Sequence, residues 1–109
     1  MFPSKWLEDH PNIPQWFPLP MESSSPENID RQNKAIEGWN GTYDRLSFIS
    51  SSTMVITGTE DLVVPPENAL ILAGKISGSW LVRFAGAGHG LMYQYPDKLG
   101  KIVENFLEM

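Results

Sequence analysis

Two glycine-containing loops each follow a short apolar run, and each carries a residue able to hold or move a proton. Thr53-Met54-Val55-Ile56-Thr57 leads into Gly58-Thr59-Glu60-Asp61, and Trp80-Leu81-Val82-Arg83-Phe84 leads into Gly86-Ala87-Gly88-His89-Gly90. An acid and a histidine just past the C-terminal ends of neighbouring parallel strands converge on one crevice. There the carboxylate can hold one ring nitrogen and stabilise the imidazolium, while the other nitrogen takes a proton from a serine. This is the acid–base half of Ser-His-Asp chemistry. The nucleophile half is missing, because no G-x-S-x-G occurs in the 109 residues. Ser50, Ser51 and Ser52 precede a strand, the wrong end for a nucleophile on a strand-to-helix elbow. The chain therefore reads as part of an enzyme.

The elements that must position these residues follow from the pattern. Residues 53–57 have β-branched side chains on both faces and read as a buried parallel strand. Pro65-Pro66-Glu67 opens a helix that runs to about Lys75, with apolar surface from Ala69, Leu70, Leu72, Ala73 and Ile76. Ser77-Gly78-Ser79 turns the chain into a second strand, 80–84. Strand, helix and strand with short loops predict a right-handed parallel crossover. A closing helix runs from about Pro96 to Phe106, and Leu99, Ile102, Val103, Phe106 and Leu107 fall on one helical stripe.

The first quarter is different. Residues 1–26 hold six of the nine prolines (Pro3, Pro11, Pro14, Pro18, Pro20, Pro26), with Phe2, Trp6, Trp16 and Phe17 among them. Proline removes backbone donors and fixes φ, so neither a long helix nor a central strand fits. The aromatics predict that this segment covers apolar surface elsewhere. Residues 1–25 are thus an irregular Pro- and aromatic-rich segment, and residues 26–109 a second unit. A helix starts at Pro26, with Ser25 as its cap and Glu27 and Asp30 at the positive end of its dipole. Ile29, Ile36 and Trp39 give it a weak apolar stripe, Asn40-Gly41 ends it, and residues 43–49 form a short helical connector.

Composition narrows the function classes. The net charge is −5 with no basic cluster, so nucleic acid finds no electrostatic footprint and an anionic membrane surface is no better a partner. There are no cysteines, which excludes disulfides, thiolate metal sites and a cysteine nucleophile. No apolar run reaches the ~18–20 residues of a membrane span. The start of the sequence lacks the basic and apolar regions of a signal peptide. The expectation is a soluble, cytoplasmic chain with no cofactor and no metal. His10 lies among prolines and charges and reads as exposed. Gly86-x-Gly88-x-Gly90 imitates a dinucleotide loop, but its third glycine comes one position early and no helix is expected there. Gly74-Lys75 lacks the other residues of a phosphate loop.

Residues 53–107 resemble the C-terminal end of the α/β-hydrolase fold. In that family a G-x-x-D loop with a following proline carries the triad acid, here Gly58-Thr59-Glu60-Asp61 with Pro65. A G-x-G-H loop carries the histidine, here Gly86-Ala87-Gly88-His89, and a closing helix begins near a proline, here Pro96. The chain order of acid before histidine also agrees. The earlier part resembles, more loosely, the exit from the family's cap region and the helix returning to the sheet. The resemblance implies an α/β fold, a strand–helix–strand–helix parallel unit after a Pro-rich, partly helical segment. It also implies that Asp61 orients His89 and that His89 acts as general base and then general acid. Small residues around His89 are expected to permit a sharp turn and the approach of substrate.

Each residue also has a plainer role open to it. Asp61 fits a turn carboxylate, Glu60 is a rival acid, and His89 fits a loop histidine. Met92, Tyr93 and Tyr95 fit packing as well as a pocket rim, and Trp80 and Phe84 fit strand packing. On the resemblance, the complete enzyme hydrolyses a small ester, lactone or other acyl substrate, and this portion alone is inert. A free-standing, non-catalytic interaction module is the alternative. Strand 53–57 would present an unpaired apolar edge, so the chain is expected to associate with itself or with the missing N-terminal half.

Overall fold

The computed structural model describes residues 1–13, 17–18 and 21–109. Pro14, Trp16 and Pro20 of the Pro- and aromatic-rich segment lie outside them. In chain order the described elements are α1 (Ser4–Asp9), α2 (Pro26–Glu37), a 3-10 helix (Tyr43–Phe48), β1 (Met54–Gly58), α3 (Glu67–Lys75), β2 (Trp80–Phe84), α4 (Leu91–Gln94) and α5 (Pro96–Leu107).

β1 and β2 pair in parallel, Met54 with Trp80 through to Gly58 with Phe84. Both strands therefore end level, and their exit loops lie side by side. The register leaves no room for a side chain at Gly58, where a Cβ would overlap the backbone of Ala87 and Gly88. The loops are stitched together at that point. The amide of Thr59 donates to the Phe84 carbonyl at 3.0 Å, and that of Glu60 to the Ala87 carbonyl at 2.8 Å. The Gly86 amide donates to Thr59 Oγ1 at 3.0 Å. Gly86 has φ +73°, which supplies the sharp turn.

The core is small. Phe84, Ala87 and Leu91 are buried, and Ile56, Val82, Tyr95, Leu99 and Ile102 pack against them. This joins β2, its exit loop and the inner face of α5, as the stripe on the closing helix requires. Leu107, counted in that stripe, is exposed. Leu46 of the 3-10 helix and Ala69 of α3 are also buried, and these two elements contact each other.

Three expectations need correction. Met54, Val55 and Ile56 are only half-buried. Among the described residues β1 has β2 as its one partner, so its other edge is bare. α2 stops at Glu37, with Gly38 as its cap. Trp39 therefore falls outside the helix, and Ile29, Ile36 and Trp39 are all exposed. A short helix does open after the histidine loop, α4, with Gly90 at its N-cap. The Ser25 cap forms as expected, its side chain accepting from the Asn28 amide at 3.2 Å.

Candidate active site

The two exit loops bring Asp61 and His89 together. Oδ2 of Asp61 lies 3.0 Å from Nδ1 of His89. The other carboxylate oxygen, Oδ1, accepts from the amides of Val63 and Val64, each at 2.8 Å. Asp61 is thus both a turn carboxylate and the partner of the histidine, and neither role displaces the other. Its side chain is 8% exposed, while that of His89 is 41% exposed. The acid is sheltered and the imidazole is open. Glu60, the rival acid, is exposed and contributes its backbone amide to the loop stitching instead.

The electrostatics follow from these contacts. Burial is the largest single influence on the Asp61 carboxyl, and it pushes the pKa up. The Val64 amide, the His89 ring and the Val63 amide together pull it down by more, so it settles below the ordinary 3.8. Asp61 is therefore ionised at neutral pH and can only accept. It follows that Nδ1 of His89 carries the proton, which leaves Nε2 with a lone pair in the neutral ring. Among the described residues no hydrogen bond reaches Nε2.

The histidine loop is held from two further sides. Gln94 on α4 accepts from the Gly88 amide at 2.8 Å and donates to the Gly86 carbonyl at 3.3 Å. On another side sits the start of the chain. The Gly90 amide donates to the Met1 carbonyl at 2.9 Å. Phe2 stacks on Trp6 at 4.9 Å and meets Phe17 and Tyr93 edge-on at 5.6 and 6.4 Å. The N-terminal aromatics thus cover the back of the histidine loop. Gly88 and Gly90 give room to Met1, Pro3 and Phe2, a different use from the access for substrate that the sequence suggests. Thr59 and Gln94 escape sequence reasoning, and for Phe2 it predicts only that apolar surface is covered, not which. Thr59 and Gln94 are single polar residues, and the partner of Phe2 is far away in the chain.

Asp61 and His89 border a cavity of about 380 Å³, with Val55, Ile56, Thr57, Leu72, Met92 and Leu99 in its wall. Successive strand residues point to opposite faces. A cavity that touches three in a row from β1, and none from β2, lies along the bare edge of β1. Met92 is therefore a pocket residue, whereas Tyr93 packs on Phe17 at 4.9 Å. Phe84 is core, and Trp80 is exposed beside Phe106. His10 is exposed, with its ring stacked on Trp6 at 4.1 Å. Among the described residues no three His, Asp or Glu side chains cluster as metal ligands. None of the described helices is long and apolar enough to cross a membrane.

No family model matches the chain. A 2-hydroxy-6-oxononadienedioate/2-hydroxy-6-oxononatrienedioate hydrolase of Klebsiella pneumoniae is 35% identical over 63 residues, which is 58% of this chain and 22% of that protein. The same hydrolase of Escherichia coli matches equally. The chain thus matches only about a fifth of the length of these curated relatives. Among solved structures, a meta-cleavage product hydrolase from Pseudomonas fluorescens, bound to acetates, superposes with TM-score 0.60 at 26% identity, over 62% of this chain and 25% of that one. An N-acyl homoserine lactone degrading enzyme superposes with TM-score 0.75 at 27% identity, over 96% of this chain and 42% of that one. The parallel strand–helix–strand–helix unit is the C-terminal portion of the α/β-hydrolase fold, and the chain belongs to that superfamily.

Proposed function

We propose that this chain supplies the acid and the histidine of a Ser-His-Asp acyl hydrolase. The observation that carries this reading is the 3.0 Å contact between Asp61 and His89, made with the carboxylate sheltered and the ring open. In this reading Asp61 fixes the Nδ1–H tautomer, and Nε2 takes the serine proton and later returns it to the leaving group. The serine and the oxyanion donors come from sequence outside these 109 residues. A missing oxyanion donor alone costs about 3–4 kcal/mol of transition-state stabilisation, so the chain by itself is inert. The substrate class is a small ester or lactone. The superposition with the lactone-degrading enzyme supports it, and the fold by itself does not decide it. The bare edge of β1 is the seat for the upstream half of the sheet.

The second reading is a non-catalytic interaction module. The exposed apolar groups of Ile36, Trp39 and Phe48 favour it.

The test joins the whole chain to the upstream part of the lactone-degrading relative that it does not match. The fusion is expected to hydrolyse p-nitrophenyl esters, the chain alone is not, and His89→Ala is expected to abolish turnover. A fusion that works equally well with His89→Ala overturns the proposal. So does turnover by the chain alone that both Asp61→Asn and His89→Ala remove.

A further inference from the structure

We infer that Phe2 is a positioning residue: with the Met1 carbonyl, it clasps the back of the histidine loop and holds His89 where Nδ1 reaches Asp61. The inference rests on the acyl-hydrolase reading only for its catalytic meaning; the clasp itself stands on geometry.

His89 sits between two buried glycines. A Cβ on Gly88 would lie 2.5 Å from the Met1 carbonyl oxygen and 3.0 Å from Pro3 Cδ. A Cβ on Gly90 would lie 2.5 Å from the Phe2 ring. The chain start therefore fits against the loop backbone on both sides of the histidine, closer than any other residue type allows. The Gly90 amide is the link between the two, since it donates to Met1 at 2.9 Å. Gly90 has φ −85° and ψ 30°, which an alanine adopts without strain. Its lack of a side chain therefore serves the Phe2 ring and no backbone turn. The ring is in turn held by Trp6, Phe17 and Tyr93.

The histidine ring is on the open side, towards the cavity and Asp61. A loop held on one side by Gln94 and stitched to β1 still lacks a stop behind it. Phe2 supplies that stop. Without it, the Met1 carbonyl is no longer pinned against the Gly90 amide, and His89 can swing away from the carboxylate. Small displacements of a catalytic pair are costly in rate even when the fold survives.

The experiment uses the full chain and follows two signals, hydrogen exchange of the Gly90 amide and the hydrogen-bonded Nδ1–H resonance of His89. Phe2→Ala and Gly90→Ala are each expected to speed Gly90 exchange roughly tenfold or more, the effect of about 1.4 kcal/mol of lost local protection. Each is also expected to weaken the Nδ1–H resonance. Phe2→Tyr, which keeps the ring, restores both signals. The double variant is no worse than either single one, because both act on one contact. Gly90→Ala leaves Phe2 in the chain and only displaces it, so it decides the matter if Phe2→Ala fails to fold. Wild-type exchange and an intact resonance in Gly90→Ala or in Phe2→Ala overturn the inference. In the active fusion, Phe2→Ala is expected to lower kcat with KM unchanged. An inactive fusion with both signals behaving as described removes the hydrolase reading and leaves the clasp standing.

Discussion

Oδ2 of Asp61 reaches Nδ1 of His89 at 3.0 Å while Oδ1 of the same carboxylate is committed to the amides of Val63 and Val64. The two oxygens are therefore not interchangeable, and this decides what a substitution does.

In Asp61→Asn, the Val63 and Val64 amides require the side-chain oxygen at the Oδ1 position. The NH2 group must then face His89. It donates to Nδ1, so the ring proton moves to Nε2, which loses its free lone pair. In the fusion enzyme kcat is expected to fall by about 10⁴-fold. The Nδ1–H resonance should vanish in the chain alone. A variant that keeps this resonance refutes the assignment of the two oxygens.

The lowered pKa of Asp61 makes stability depend on pH. A carboxylate depressed on folding adds stability that is fully present above its unfolded value, near 3.8. That stability is lost as pH falls through the still lower folded value. Urea midpoints of wild type and Asp61→Asn should differ by a constant amount from neutral pH down towards pH 4. Below that the two curves should converge. A gap that widens in acid has the wrong sign.

Two glycine substitutions should move stability in opposite directions. Gly58→Ala drives a methyl group into the backbone of Ala87 and Gly88, which cannot yield as a side chain would. A loss of about 1–3 kcal/mol, or failure to fold, is expected from overpacking. Gly100 lies inside α5 with nothing within 4 Å of an added Cβ. There Gly100→Ala should add about 0.5–1 kcal/mol through helix propensity. Urea denaturation of both variants provides the check.

The bare edge of β1 should draw a second copy of the chain when no upstream half is present. Light scattering is expected to show a mass that rises with concentration. A single monomeric species at high concentration counts against it.

Much of this architecture was legible because local chemistry agreed with tertiary structure. β2 is legible as a short apolar and aromatic run that ends where its exit loop begins. β1 is displaced by one residue, since Gly58 still pairs with Phe84 before the chain leaves the sheet. The pairing of Asp61 with His89 followed from two loops of one parallel unit. Burial at Val55 and Ile56 falls short of the expectation because an apolar strand implies neighbours on both sides, and the described residues supply one. α2 is shorter than its pattern implies because Gly38, three residues before the Gly41 signal, already ends it. The aromatics at the chain start were readable as covering something. That they cover the histidine loop was not, because no local pattern links Phe2 to Gly90.

That last contact bears on the order of assembly. The tie from Gly90 back to Met1 closes a far longer stretch of chain than the pairing of β1 with β2. Each doubling of such a stretch adds about 0.6 kcal/mol of closure entropy. The crossover unit should therefore condense early and the chain start should dock late. In refolding kinetics, fluorescence changes from Trp6 should lag behind those from Trp80.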